Sequence, residues 1–100
     1  MIMTIEIKRN AEETTIKLVG RLDTTTAPAL DKTIGEDIAG TKNLVLDVKE
    51  LEYISSAGLR VLLGAQKKMQ KIGSMKVTNV REEVMEVFEM TGFADILVIE

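Results

Sequence analysis

Cysteine, histidine and tryptophan are missing from this 100-residue chain, and proline occurs once. Without cysteine or histidine there can be no disulfide framework, no thiolate nucleophile and no Cys/His zinc site. A Ser-His-Asp triad and a histidine pH switch are excluded for the same reason. Aromatic residues are scarce: Tyr53, Phe88 and Phe93 are the only ones, too few for a base-stacking platform. Positive charge is not in excess either, with 13 basic against 16 acidic residues and a net charge of −3, so no nucleic-acid partner is expected. Long apolar runs are absent. The longest, Ile96-Leu97-Val98-Ile99, falls far short of the roughly 20 residues a membrane span needs. Glu6, Lys8 and Arg9 interrupt any signal-peptide core, so a cytoplasmic location without membrane attachment is expected.

What remains is 45% hydrophobic and 29% charged, the composition of one compact domain spanning 1–100. Thr4-Ile5-Glu6-Ile7-Lys8 and Thr15-Ile16-Lys17-Leu18 alternate apolar with polar, predicting two strands joined by a hairpin through residues 10–13. Gly20 is the expected end of the second strand. Thr24, Thr25 and Thr26 offer caps for a helix with Pro28 in its first turn and Leu30, Ile34 and Ile38 on its apolar stripe. Gly40 is a plausible stop for it.

Leu44-Val45-Leu46-Asp47-Val48 is a nearly continuous apolar run, expected of a strand covered on both faces. A second helix follows with Leu59, Leu62, Leu63, Met69 and Ile72 inward, cations near its end and Gly73 as its cap. Met75-Lys76-Val77 predicts another strand. Asn79 and Glu82 suggest a capping box for a third helix striped by Val84, Val87 and Phe88. Gly92 closes that helix, and residues 96–99 are the expected last strand. The order is β-β-α-β-α-β-α-β, a small single-domain α/β fold with a mixed, largely parallel sheet.

Chemistry is most plausible at Tyr53-Ile54-Ser55-Ser56-Ala57-Gly58-Leu59-Arg60, between a strand's C-terminal end and a helix N-terminus. Free N–H groups and the helix dipole there favour an anion. A serine at this point is either an ordinary N-cap, contributing about 1 kcal/mol, or a phosphate acceptor, and spacing alone leaves both readings open. The other features are weaker. Glu82, Glu83, Glu86 and Glu89 suit a solvated helix face, Asp47 a turn or a cation, and the six methionines core gaps. No general base of tuned pKa is evident, so no catalytic residue is assigned and an enzyme is not expected.

The Ser55-Ser56-Ala57-Gly58-Leu59 stretch resembles the signature of the STAS-domain family, the anti-sigma-factor antagonists of bacterial partner-switching systems. That signature runs Asp-Ser-(Ser/Thr)-Gly-Leu, and its first serine, the phosphorylated one, aligns with Ser56. Gly20-Arg21-Leu22-Asp23 resembles the family's Gly-x-Leu-Asp turn. Leu44 to Val48 with Leu51 and Tyr53 is similar to its central strand, and Phe88-Glu89-Met90-Thr91-Gly92-Phe93 to its Phe-x-Met-(Ser/Thr)-Gly-(Leu/Phe) ending. The resemblance thus spans nearly the whole chain. Two positions depart from the signature: Ser55 replaces its Asp, and Ala57 its second hydroxyl residue. Family members also commonly continue into a C-terminal helix beyond the position of Glu100.

The resemblance implies a STAS-like fold and a non-enzymatic regulator that binds an anti-sigma-factor serine kinase when unphosphorylated. Phosphorylation at Ser56 would release it, and a metal-dependent serine phosphatase would reverse the change. No cofactor or metal is expected in the chain itself. The expected partner surface gathers Asp23, Thr25, Ser55, Ala57, Gly58, Arg60 and Gly64 around Ser56. Asp23 could equally be a turn residue, Arg60 a solvated one, and Gly64 a point of close approach. The alternative is a sensor of the same fold, holding a nucleotide or other small anion at that helix terminus.

Overall fold

The computed structural model describes residues 3–100. Strands β1 (Thr4–Asn10) and β2 (Glu13–Leu22) pair antiparallel, with Ile5 opposite Leu18 and Ile7 opposite Ile16. The turn between them is tight, and Ala11 takes a positive φ of 56° to close it. Helix α1 (Ala27–Asp37), β3 (Asn43–Ile54), α2 (Ser56–Ile72) and β4 (Ser74–Thr78) follow in alternation. Helix α3 (Glu82–Thr91) and a 3-10 turn, Phe93–Asp95, complete the elements. The sheet order is β1-β2-β3-β4, with β2, β3 and β4 parallel, as the alternation of strand and helix requires.

Crossovers of one hand between adjacent parallel strands place α1 and α2 on the same face, where they touch each other. Under them lie the inward residues Ile16, Leu18, Leu22, Leu44, Leu46, Val48, Met75 and Val77, all buried. Leu30 and Ile34 of α1, Leu59, Leu62 and Met69 of α2, and Val84 and Phe88 of α3 close the core from above. Burying one such side chain contributes about 1.5–3 kcal/mol. Among the described residues the other sheet face carries no helix. Lys17 and Glu50 form an ion pair there at 2.8 Å, and Asp47 is half-buried. The apolar run in β3 therefore has one covered face rather than two, although Val45, in register between Thr15 and Lys76, is only 8% exposed.

Several local expectations are revised. Strand β2 runs past Gly20 to Leu22, because Gly20 adopts φ 109° at a shift of register and lets the strand continue across it. The Asn79–Glu82 capping box does not form. Asn79 sits at φ 60° and donates instead to Asp47 Oδ1 (3.1 Å), while Arg81 precedes α3 without a side-chain cap. Ile72 is half exposed, and the inward face of α2 includes Ala65 and Gln66. Residues 96–99 make one parallel bridge, Ile99 to Val77, rather than a strand. The backbone at Ile96 is still helical (φ −96°, ψ −42°), so extended pairing begins only after it.

Gly73 does cap α2, its N–H reaching the Met69 carbonyl at 2.7 Å. A side chain there has no room, since a Cβ would lie 1.8 Å from the carbonyl oxygen of Lys42, the residue just before β3. No described helix is long and apolar enough to cross a membrane.

Candidate functional site

The site is built where β2 and β3 end side by side. Leu22 pairs with Ile54, and the Ser55 N–H donates to the Leu22 carbonyl at 2.9 Å. This register brings the loop after β2, which starts at Asp23, next to the N-terminus of α2. Two motifs more than thirty residues apart in sequence thereby become neighbours.

Ser55 is the N-cap of α2. Its backbone is extended (φ −98°, ψ 175°) and its Oγ accepts the Gly58 N–H at 3.3 Å. Its carbonyl receives the first helical bond from Leu59, at 2.9 Å. Ser56 is thereby freed from capping: it is the first helical residue, and it is exposed. A hydroxyl in that position lies within the field of the helix N-terminus and open to a visiting active site.

Gly58 is buried because the helix start presses onto the strand ends. A Cβ there would meet Leu22 Cγ at 2.7 Å and Ile54 Cγ1 at 2.9 Å. Ala57 is partly buried against the same core. Arg60 is exposed one turn after Ser56, and Gly64 lies one turn further with nothing of its own chain within 4 Å of an added Cβ. Ser56, Arg60 and Gly64 therefore line one outward stripe, whereas Ala57 and Gly58 turn toward the core.

Asp23 organises the neighbouring loop. Its Oδ1 accepts the Thr25 N–H (3.0 Å), the Thr25 hydroxyl (2.8 Å) and the Thr26 N–H (3.1 Å). These bonds, led by the Thr25 hydroxyl, hold its carboxyl below the usual carboxylate range. Thr26 precedes α1, but its hydroxyl donates backward to the Arg21 carbonyl at 2.8 Å instead of capping the helix. Thr25 is exposed beside Asp23.

The Arg21 guanidinium stacks over the Tyr53 ring, 4.1 Å from its centroid. The two are in register across β2 and β3, and Tyr53 is 39% exposed. Tyr53 opens the segment expected to carry chemistry, but neither it nor Arg21 was among the expected partner-surface residues. Only the parallel pairing of strand ends reveals them as a pair. Among the described residues no group of three or more acidic side chains could hold a metal ion.

Fold and site define a small α/β domain that presents an accessible hydroxyl at a helix mouth. The chain belongs to the STAS domain family, whose model matches residues 4–100. It is 29% identical over 98 residues to an anti-sigma-B factor antagonist of Bacillus subtilis, covering 97% of this chain and 90% of that protein. The fold matches an anti-sigma factor antagonist from Mycobacterium paratuberculosis with TM-score 0.89 and 24% identity, over 98% of this chain and 85% of that one. It also matches the Bacillus cell fate determinant SpoIIAA, solved in its phosphorylated form, with TM-score 0.76 and 18% identity, over 97% and 91% of the two chains.

Proposed function

We propose that this chain is an anti-sigma-factor antagonist that binds an anti-sigma-factor serine kinase in the cytoplasm while Ser56 is unmodified, and leaves it once Ser56 is phosphorylated. The observation that carries this reading is the division of labour between adjacent serines. Ser55 serves the helix, so Ser56 can change chemically without loss of the cap. The antagonist relatives and the phosphorylated SpoIIAA structure support it.

In the transfer, Ser56 Oγ forms a bond to the γ-phosphorus of ATP and the bond from that phosphorus to the bridging oxygen breaks. ADP leaves, and the hydroxyl proton passes to the kinase or solvent. A serine phosphatase reverses the state with water, returning a proton to Oγ and releasing inorganic phosphate. The chain itself supplies no catalysis and acts by binding.

Charge explains why such a phosphate changes partners without unfolding the domain. It adds about −1.5 to −2 at neutral pH. The helix N-terminus stabilises that charge by about 0.3–1 kcal/mol. A partner carboxylate about 4 Å away opposes each unit charge by about 4 kcal/mol at an effective dielectric near 20, before screening. Half of that already weakens binding about thirtyfold. Asp23, Thr25, Arg60 and Gly64 complete the docking surface around Ser56, with Gly64 permitting close approach.

The test is the affinity of Ser56→Asp and Ser56→Ala for the anti-sigma-factor kinase, measured by calorimetry at fixed ionic strength. Ser56→Asp is expected to fold normally and bind at least tenfold more weakly, a difference of about 1.4 kcal/mol, while Ser56→Ala binds regardless of ATP. Equal affinities would sink the proposal.

A further inference from the structure

Among the described residues Arg60 has no ion-pair partner, and it is placed one helical turn from the proposed acceptor. It is exposed, and the four ion pairs found among the described residues, Lys17–Glu50, Lys42–Glu12, Lys76–Glu100 and Arg81–Glu83, do not include it. Helix α2, SAGLRVLLGAQKKMQKI, contains no acidic residue at all, so nothing on its own helix competes for the guanidinium. Side chains on a helix lean toward its N-terminus and cover the turn before their own Cα. The turn before Arg60 is the one that starts at Ser56. On the opposite side Gly64 leaves open space rather than a packing partner.

We propose that Arg60 is the built-in counter-ion of the phosphate: once Ser56 is modified, the guanidinium folds back one turn and binds the phosphate oxygens through paired N–H donors. The inference rests on Ser56 being the modified residue. Guanidinium and phosphate match in a two-donor geometry that a lysine, a point charge, does not reproduce. The consequence goes beyond charge addition. In the unmodified protein Arg60 is exposed and belongs to none of the ion pairs among the described residues, so its charge is free to meet a partner's carboxylate. In the modified protein that cation is withdrawn to the domain's own phosphate. One chemical event thus adds an anion to the docking surface and removes a cation from it.

The experiment needs no partner. The chain is made with phosphoserine inserted at position 56 during translation, and the second ionisation of the phosphate is followed by phosphorus NMR. Wild type, Arg60→Gln and Arg60→Lys are compared. The other charged groups at this end of the sheet, among them Arg21, Asp23 and Glu52, are the same in all three. The midpoint in wild type is expected about half a pH unit below that of Arg60→Gln, a threefold change in ionisation constant, with Arg60→Lys between them. The Arg60 Nε–H signal is also expected to move on modification of wild type. Circular dichroism checks that the exposed substitutions keep the fold. Identical midpoints in wild type and Arg60→Gln, with an unmoved Nε–H signal, would overturn the counter-ion. Because the phosphate is installed directly, that result stands apart from the binding test of Ser56, which addresses the switch itself.

Discussion

Ser55 and Ser56 are chemically identical neighbours in different local settings, and their difference comes from one backbone turn. Ser55 is still extended and directs its oxygen at the Gly58 N–H, whereas Ser56 has entered the helix and faces outward. Removing the cap by Ser55→Ala should cost about 1 kcal/mol, lowering the melting temperature by roughly 4–8 °C in a domain of this size. The same change at Ser56 should leave the melting temperature nearly unaltered, and calorimetry of both variants checks the contrast. Two glycines separate in the same way. A Cβ at Gly73 would collide with the Lys42 carbonyl oxygen at 1.8 Å, so Gly73→Ala should destabilise by about 1–3 kcal/mol. At Gly64 a Cβ meets nothing within 4 Å, and Gly64→Ala should stabilise by about 0.5–1 kcal/mol through helix propensity. Urea titrations of the two variants should therefore move in opposite directions.

Loops between elements show where local chemistry decides the outcome. The loop from β2 into α1 is held by Asp23, whose carboxyl is kept below its usual range first by the Thr25 hydroxyl and then by the Thr25 and Thr26 N–H groups. A carboxyl lowered on folding adds stability above its unfolded value, about 3.9, and that stability is lost as pH falls through the lower folded value. Asp23→Asn should therefore lower stability at neutral pH and flatten its decline below about pH 4, which denaturant midpoints across the acid range would reveal. This loop and the α2 start were both visible in the sequence, as Gly20-Arg21-Leu22-Asp23 and Ser55-Ser56-Ala57-Gly58. Their adjacency was expected only through the family resemblance, which gathers Asp23 and Thr25 around Ser56, because it depends on Leu22 pairing with Ile54 in a parallel register that no local pattern encodes. Strands β1 and β2 were legible because alternation is a two-residue signal. The Asn79 cap was misread because an Asn in the left-handed region can serve a distant partner, here Asp47, as well as a helix. Residues 96–99 looked like a strand from apolar content alone, yet the preceding 3-10 turn leaves Ile96 helical and limits pairing to one bridge.

The whole molecule is a four-stranded sheet with its helices on one face, so its stability depends on how well few large side chains fill a single thin core. Aromatic content makes the point. Of two phenylalanines, only Phe88 is fully buried, at 0% exposure, and it anchors α3 to the sheet together with Val84. Two residues on, Met90 is 87% exposed. The bare sheet face adds little to the balance: the Lys17–Glu50 pair there is solvent-exposed, and such pairs are worth about 0–1 kcal/mol. Phe88→Ala should thus cost about 3–5 kcal/mol, a large share of the roughly 5–15 kcal/mol that holds a domain together. Met90→Ala should stay within about 0.5 kcal/mol of wild type. Guanidinium unfolding followed by far-ultraviolet dichroism distinguishes them. A small effect at Phe88 would mean that α3 is held by something other than its inward stripe.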